Sequence, residues 1–213
     1  IYNHYKEKDT PEQLSKTFRL FISLAILFFV GLSLFAKEIL IFLTSPEFYE
    51  SEKIVIYLVP AILLSQMYIF APGTALAKKT KIIMFISIGS AIITIVLNWL
   101  LIPHLGLKGA ALATLLTYSV VFIVHMITSQ KYYYIPYQWK KIIFAVILSI
   151  PIAISSFYID FGLITNIIIK TLLLLLLPIT FLVSGLISKK EISHAFLLTR
   201  NFISKLNNNS KSH

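Results

Sequence analysis

The sequence contains no cysteine, and it is poor in acidic residues. Only 9 of its 213 residues are Asp or Glu, against 19 Lys or Arg. The absence of cysteine excludes a disulfide framework and any metal site built on thiolates. The five histidines are scattered along the chain without the spacing of metal ligands: His4, His104, His125, His194 and His213. We therefore expect no metal site and no cofactor.

Groups that could perform catalysis are equally scarce. A polytopic membrane enzyme is expected to present a sizeable loop that carries acids, bases or metal ligands. Here the loops on one side are limited to 37–53, a few residues around His104 and a few around Asp160. Asp160 has no neighbouring carboxylate, and no Gly-rich phosphate-binding loop occurs. We therefore expect that the chain is not an enzyme and has no catalytic residues.

Apolar residues dominate the composition of the chain. They make up 57% of the chain, and the mean hydropathy is +0.83. A helix needs about 20 apolar residues to cross a bilayer core about 30 Å thick. Six runs are about this long: 18–36, 54–77, 82–102, 110–128, 142–159 and 164–187. They lack the alternation of apolar and polar residues that is typical of the strands of a transmembrane barrel. The sequence predicts an all-α polytopic bundle of six transmembrane helices.

The positive residues are unevenly divided between the two sides that six crossings create. Fifteen of the 19 lie in the segment up to Arg19, in the loops 78–81 and 131–141, and in the C-terminal tail. The opposite loops hold only Lys37, Lys53 and Lys108. Short cytoplasmic loops carry an excess of Lys and Arg, so we expect both termini in the cytoplasm. Charge dispersed over alternate loops also argues against nucleic-acid binding.

Three regions follow from this pattern. They are a cytoplasmic arm at 1–17, a membrane domain at 18–187 and a cytoplasmic tail at 188–213. Apolar and basic residues are interleaved in the tail, which predicts an amphipathic helix on the inner membrane surface followed by disorder from residue 207. The chain begins with Ile1 and a polar stretch. We therefore expect it to be the later part of a longer protein, attached to a preceding N-terminal lobe.

Local signals predict the helix ends. Thr10 before Pro11 is typical of an N-cap followed by the first helical residue. The first helix is expected to end near Lys37 and Glu38, and a short interfacial helix is expected within 45–53. The third helix is expected to stop at Pro103.

Two further patterns bear on packing. Gly109 and Ala113 are small residues four positions apart, a spacing that lets helices approach closely in lipid. The tyrosines 132–134 and Trp139 lie beside positive charge, which predicts an aromatic belt at the inner interface.

Polar residues at membrane depth are the candidates for a substrate path, because burying them is costly. Lys170, inside the last run, would attract an anionic headgroup if it faced a water-filled cavity. The alternative, which we favour, is that its stem extends to the outer interface. Arg19 is expected to anchor the first helix at the inner interface, with a position at a cavity mouth as the alternative.

Three uncharged polar residues complete the candidates. His125 would titrate if it lined a path, but a hydrogen-bonded packing histidine is the more common case. Asn98 and Gln66 either line a hydrophilic path or bridge helices, and bridging is the more common use of such side chains.

One stretch resembles a known family. The segment 98–114, NWLLIPHLGLKGAALAT, preceded by ALAKKTK at 75–81, is similar to the C-terminal half of polysaccharide flippases. These are Wzx-type O-antigen transporters of the MATE-like MOP superfamily. The outer segment 36–52 also resembles that family. The matching positions are Asn98, Pro103, Gly106, Gly109, Ala110, Ala111, Ala113 and Thr114.

This resemblance implies a fold and a function. The chain would be the second lobe of a two-lobed transporter in the bacterial inner membrane. The transporter would flip a polyprenyl-pyrophosphate-linked oligosaccharide from the inner to the outer leaflet, for lipopolysaccharide or other cell-surface polysaccharide. A coupling ion, H⁺ or Na⁺, is implied as well. A drug or metabolite exporter of the same superfamily is one alternative, and a polytopic enzyme of envelope glycan assembly is another. Neighbouring genes for glycosyltransferases would favour the flippase.

Overall fold

Helices form all of the regular structure in this protein's computed structural model, which describes residues 7–159 and 161–187; no strand occurs in this part. Six helical segments there are long and apolar enough to cross a membrane: Thr10–Leu43, Pro46–Leu76, Thr80–Leu105, Leu107–Tyr132, Trp139–Tyr158 and Ile164–Val183. The predicted all-α polytopic bundle is confirmed, and the chain is a multi-pass membrane protein. The predicted tail helix, His4, His194, His213 and Asp160 lie outside the described residues.

Three of the six crossings are uninterrupted helices, namely α1 (Thr10–Leu43), α4 (Thr80–Leu105) and α5 (Leu107–Tyr132). The others contain breaks. The second consists of a 3₁₀ turn, α2, another 3₁₀ turn and α3, at Pro46–Ser51, Glu52–Gln66, Met67–Phe70 and Gly73–Leu76. The fifth is α6 (Trp139–Ile154) followed by a 3₁₀ turn (Ser155–Tyr158), and the sixth is α7 (Leu163–Leu175) followed by α8 (Leu177–Val183).

Proline accounts for two of these breaks. The second crossing departs from α-helix just before Pro72, which lacks a backbone N–H to continue the hydrogen-bond ladder. Pro178 occupies the first turn of α8, where a missing N–H is tolerated. The short helix expected within 45–53 is present as the 3₁₀ turn Pro46–Ser51.

The predicted ends of α1 are wrong at both termini. The helix starts one residue early, with Asp9 rather than Thr10 as the N-cap, and it continues past Lys37 and Glu38 to Leu43. The sequence suggested that two charges would stop the helix at the membrane surface. The helix passes through them because Glu38 forms an ion pair inside the bundle.

The prediction that α4 stops at Pro103 is also wrong. A proline disturbs the carbonyl four residues before it but leaves the following residues free to stay helical, and α4 continues to Leu105. The turn to α5 is made instead by Gly106, which adopts φ +56°. A residue without a Cβ adopts this left-handed conformation at little cost.

The core of the described bundle is built around α1. One face of α1 places Phe18, Ile22, Ile26, Val30 and Leu34 in the buried cluster, at the spacing of a single helix stripe. This stripe packs against the second crossing, α6 and α7. By contrast, α4 packs mainly on α5, and none of its residues is buried by the described part of the chain.

Candidate functional site

A polar cavity of about 420 Å³ lies at one end of the bundle. Its walls come from the end of α1, the start of α2, the start of α5, the 3₁₀ turn after α6, and α7. These are the segments adjoining the three short loops that the charge distribution assigned to one side of the membrane. The structure therefore brings those three loops to one end of the bundle.

Four lysines line this cavity: Lys37, Lys53, Lys108 and Lys170. Three of them are the only positive residues in the sparse loops of the sequence, and the fourth is the one within a predicted span. Glu52 is the single carboxylate on the described lining. A concave surface with an excess of one charge focuses its field and attracts ions of the opposite sign. The cavity is therefore suited to an anion.

Lys170 forms the most buried charge pair at this site. Its Nζ donates to Glu38 Oε1 at 2.6 Å, linking α7 to α1. Only 1% of Lys170 is exposed. The expectation that its stem extends to the outer interface is wrong, because the Lys170 ammonium is buried within the bundle and pairs there with the carboxylate of Glu38.

The Glu38 carboxylate is incompletely satisfied. Its second oxygen, Oε2, is buried and has no hydrogen-bond partner among the described residues, and the same holds for the hydroxyl of Ser33, five residues earlier on α1. Ser33 also lines the polar cavity. A buried acceptor without a donor costs free energy, so the pair with Lys170 is a costly arrangement for the bundle to maintain.

An apolar groove of about 820 Å³ lies beside the cavity, mainly along α1. Leu27, Gly31 and Phe35 are among its α1 residues, and α7 contributes Ile167. Glu38 lies on the wall of this groove, whereas its partner Lys170 lies on the wall of the polar cavity. The ion pair therefore stands between a polar and an apolar compartment.

Of the other predicted site residues, Asn98 and Gln66 do not reach this cavity. Asn98 donates to the carbonyl of Thr94 in its own helix at 2.9 Å. The helices α4 and α5 are instead bridged by the hydroxyls of Thr94 and Thr117, 3.3 Å apart. Gln66 is exposed at the end of α2 and donates to Ser65 at 3.3 Å.

Arg19 and His125 lie toward the opposite end of the bundle from this cavity, near the start of α1 and toward the end of α5. Arg19 is buried, and its Nη1 donates to Gln138 Oε1 at 3.5 Å, which joins α1 to the residue before α6. His125 is half-buried on α5. Of the five predicted site residues, the structure places only Lys170 on the cavity. In residues 7–159 and 161–187, no group of three or more His, Asp or Glu side chains could hold a metal ion.

Two features of the site were missed from the sequence. The first is Glu38, which looked like the end of a helix rather than the partner of Lys170. The second is the convergence of Lys37, Lys53 and Lys108 on a single cavity. A signal for the second was present, since three lysines on the sparse side of a membrane protein must lie at one end of the bundle.

Comparisons with known proteins identify no relative: no family model, no curated protein and no solved structure matches this chain.

Proposed function

We propose that this chain is the second lobe of a transporter that flips a polyprenyl-pyrophosphate-linked oligosaccharide from the inner to the outer leaflet of the bacterial inner membrane. The observation that carries the proposal is the four-lysine cavity at one end of a six-crossing bundle. The resemblance of 98–114 to polysaccharide flippases supports the same substrate class. The product would serve cell-surface polysaccharide assembly.

The electrostatics of the cavity match a pyrophosphate headgroup. A charge 4 Å from a phosphate gains about 4 kcal/mol at an effective dielectric of about 20, against about 1 kcal/mol in bulk water. Several lysines around one cavity can therefore offset much of the hydration that a pyrophosphate loses. A cationic drug would be repelled by the same lining, which favours the flippase over an exporter of cations.

The side of the membrane follows from the lysine distribution. With both termini in the cytoplasm, the cavity opens toward the outer leaflet. It would hold the headgroup after crossing, before release. The preceding lobe of the protein would supply the other wall of the path, and a coupling ion, H⁺ or Na⁺, would supply the energy.

The test is deletion and complementation in the host bacterium. Deleting the gene should abolish the surface polysaccharide and cause the lipid-linked precursor to accumulate. Restoring the gene with Lys53→Gln and Lys108→Gln together should lower flipping by at least about tenfold, because even the bulk-water value of about 1 kcal/mol per cation adds up to about 2 kcal/mol for the two. The matched control is Lys79→Gln with Lys81→Gln, two exposed lysines on the opposite side.

Two results would contradict the proposal. If deletion left the surface polysaccharide intact and raised drug sensitivity, the exporter hypothesis would replace the flippase. If both lysine pairs had equal effects on flipping, the cavity would have no special role in the path.

A further inference from the structure

The pair of Glu38 and Lys170 occupies an unusual position. Lys170 faces a cavity that contains four lysines, and Glu38 faces a groove in which every other lining residue is apolar. The two residues are 132 positions apart, and they connect α1 to α7. Any lipid with its headgroup in the cavity and its chain in the groove would have to pass this pair.

The pair is also poorly satisfied for one so deeply buried. Lys170 can donate three hydrogen bonds, and the described contacts give it one, to Glu38. Glu38 in turn keeps a buried oxygen, Oε2, without a hydrogen-bond partner in the described chain. The attraction within a buried ion pair offsets the free-energy cost of removing both charges from water only when the remaining donors and acceptors of the pair also form hydrogen bonds. A ligand with several anionic oxygens would satisfy Lys170 better than Glu38 does.

We propose that the Glu38–Lys170 contact is an exchangeable ion pair, in which the pyrophosphate of a polyprenyl lipid displaces the Glu38 carboxylate from Lys170. This inference rests on the proposed function and names how its site is regulated. The lipid's phosphate oxygens bind Lys170 together with the other cavity lysines. Its hydrocarbon chain occupies the groove along α1, because the groove and the cavity share this pair as a common wall.

The exchange makes Glu38 a competitor of the ligand. In the free protein Lys170 is paired with Glu38 in most molecules. The apparent affinity for pyrophosphate is therefore the intrinsic affinity multiplied by the small fraction of molecules in which the pair is open. Removing the carboxylate charge should therefore tighten binding, although it removes a contact seen in the structure. A purely structural ion pair predicts the opposite, because its loss would weaken both folding and binding.

The test is a titration of the purified full chain in lipid nanodiscs with geranylgeranyl pyrophosphate. Glu38→Gln should lower Kd on the order of tenfold, and Lys170→Gln should raise Kd by a similar factor. Lys170→Arg, which keeps the charge, should bind nearly as the wild type does. The control is Glu12→Gln, which breaks the exposed pair with Lys16 at the opposite end of α1, 3.3 Å apart, and should leave Kd unchanged.

Thermal melting of the same samples checks folding. Glu38→Gln leaves a buried ammonium without its partner, so its melting temperature should fall in the absence of ligand. Added pyrophosphate lipid should raise that temperature more in Glu38→Gln than in the wild type. A lower stability combined with a tighter Kd is the signature of the exchange.

The groove is tested separately. Gly31 lies on its wall, and an added Cβ there makes only an ordinary contact with Leu174 Cδ1 at 3.8 Å. Gly31→Leu is designed to fill the groove, and its melting temperature without ligand checks that the variant folds. The variant should weaken binding of geranylgeranyl pyrophosphate and leave binding of inorganic pyrophosphate unchanged. Gly89→Leu, at an open position on α4, is the matched control.

Three outcomes would overturn the inference. If Glu38→Gln and Lys170→Gln weakened binding alike, the pair would be structural. If neither changed Kd while the wild type bound the lipid, the exchange would be wrong and the flippase proposal would stand. If Gly31→Leu weakened the binding of the lipid and of inorganic pyrophosphate equally, the hydrocarbon chain of the lipid would not lie in the groove. Deletion in the host tests the flippase proposal independently of all three.

Discussion

At the scale of single residues, Gly109 determines how closely α4 and α5 approach. A Cβ added at this position would clash with the backbone carbonyl of Leu101 near the end of α4. Four residues later, Ala113 is completely buried. The small residues noticed in the sequence therefore do lie at a close helix contact, and the contact runs through backbone atoms that have little freedom to move.

Replacing Gly109 should destabilise the bundle through overpacking. We expect Gly109→Ala to cost about 1–3 kcal/mol, and Gly109→Leu or Ala113→Leu to cost at least as much. The matched control is Gly89→Ala, where a Cβ meets nothing within 4 Å and helix propensity favours alanine by about 1 kcal/mol. Melting temperatures in detergent should move in opposite directions for the two alanine variants. Equal shifts would contradict a close contact at Gly109.

At the scale of elements, an aromatic cluster joins three crossings at the end of the bundle opposite the lysine cavity. The ring of Phe18 on α1 lies 5.0 Å from that of Phe70, 4.7 Å from that of Tyr137 and 5.9 Å from that of Trp139. The Tyr137 hydroxyl donates to the Phe70 carbonyl. The sequence assigned Trp139 to an aromatic belt against lipid headgroups. In the structure Trp139 packs in this intramolecular cluster while remaining partly exposed.

Burial raises the pKa of Tyr137 above its ordinary value, because the charged phenolate would lose hydration there. A raised folded-state pKa stabilises the fold fully below the unfolded pKa of about 10. That stabilisation is lost as the pH rises toward the higher folded value. The fold should therefore weaken above about pH 10.

The variant Tyr137→Phe should be less stable by about 1 kcal/mol near neutral pH, because it loses the bond to Phe70. It should also lose less stability than the wild type when the pH is raised past about 10. Tyr134→Phe, at an exposed position in the same loop, should match the wild type in both respects. Melting curves in detergent across this pH range provide the measurement. An alkaline loss equal to that of the wild type would show that Tyr137 does not cause it.

At the scale of the whole molecule, the lysine cavity and the lysine-rich loops lie at opposite ends of the bundle. Each crossing reverses direction, so the loops before and after it belong to different sides. The bundle therefore has one end with lysine-rich loops and another where its few cations line a cavity.

Reporter fusions test this orientation. Fusions at Lys79, Gln138 and Asn208 should report the cytoplasm, and those at Glu50, Leu107 and Asp160 should report the outer side. The reason is the bias of positive residues toward cytoplasmic loops. One fusion on the wrong side would mean that the crossings have been miscounted, and inversion of all six would place the cavity at the cytoplasmic leaflet.

The number of crossings and the fold class could be predicted from the amino-acid sequence, because run length and hydropathy are local properties of the chain. The sequence also located the small-residue contact at Gly109, since residues four apart share a helix face. It could not predict the ends of α1 and α4. Those depend on whether Glu38 finds a partner and on how Gly106 turns the chain.

The contacts of the candidate polar residues depend on how the helices pack, which the sequence does not reveal. Whether Lys170 reaches the interface or a carboxylate depends on the rotation of α7 relative to α1, which no local pattern records. Asn98 on α4 and Gln66 on α2 do not line the cavity, and they bond within their own helix or to a neighbouring side chain. Helix packing, and not residue type, therefore determined which predicted residue belongs to the site.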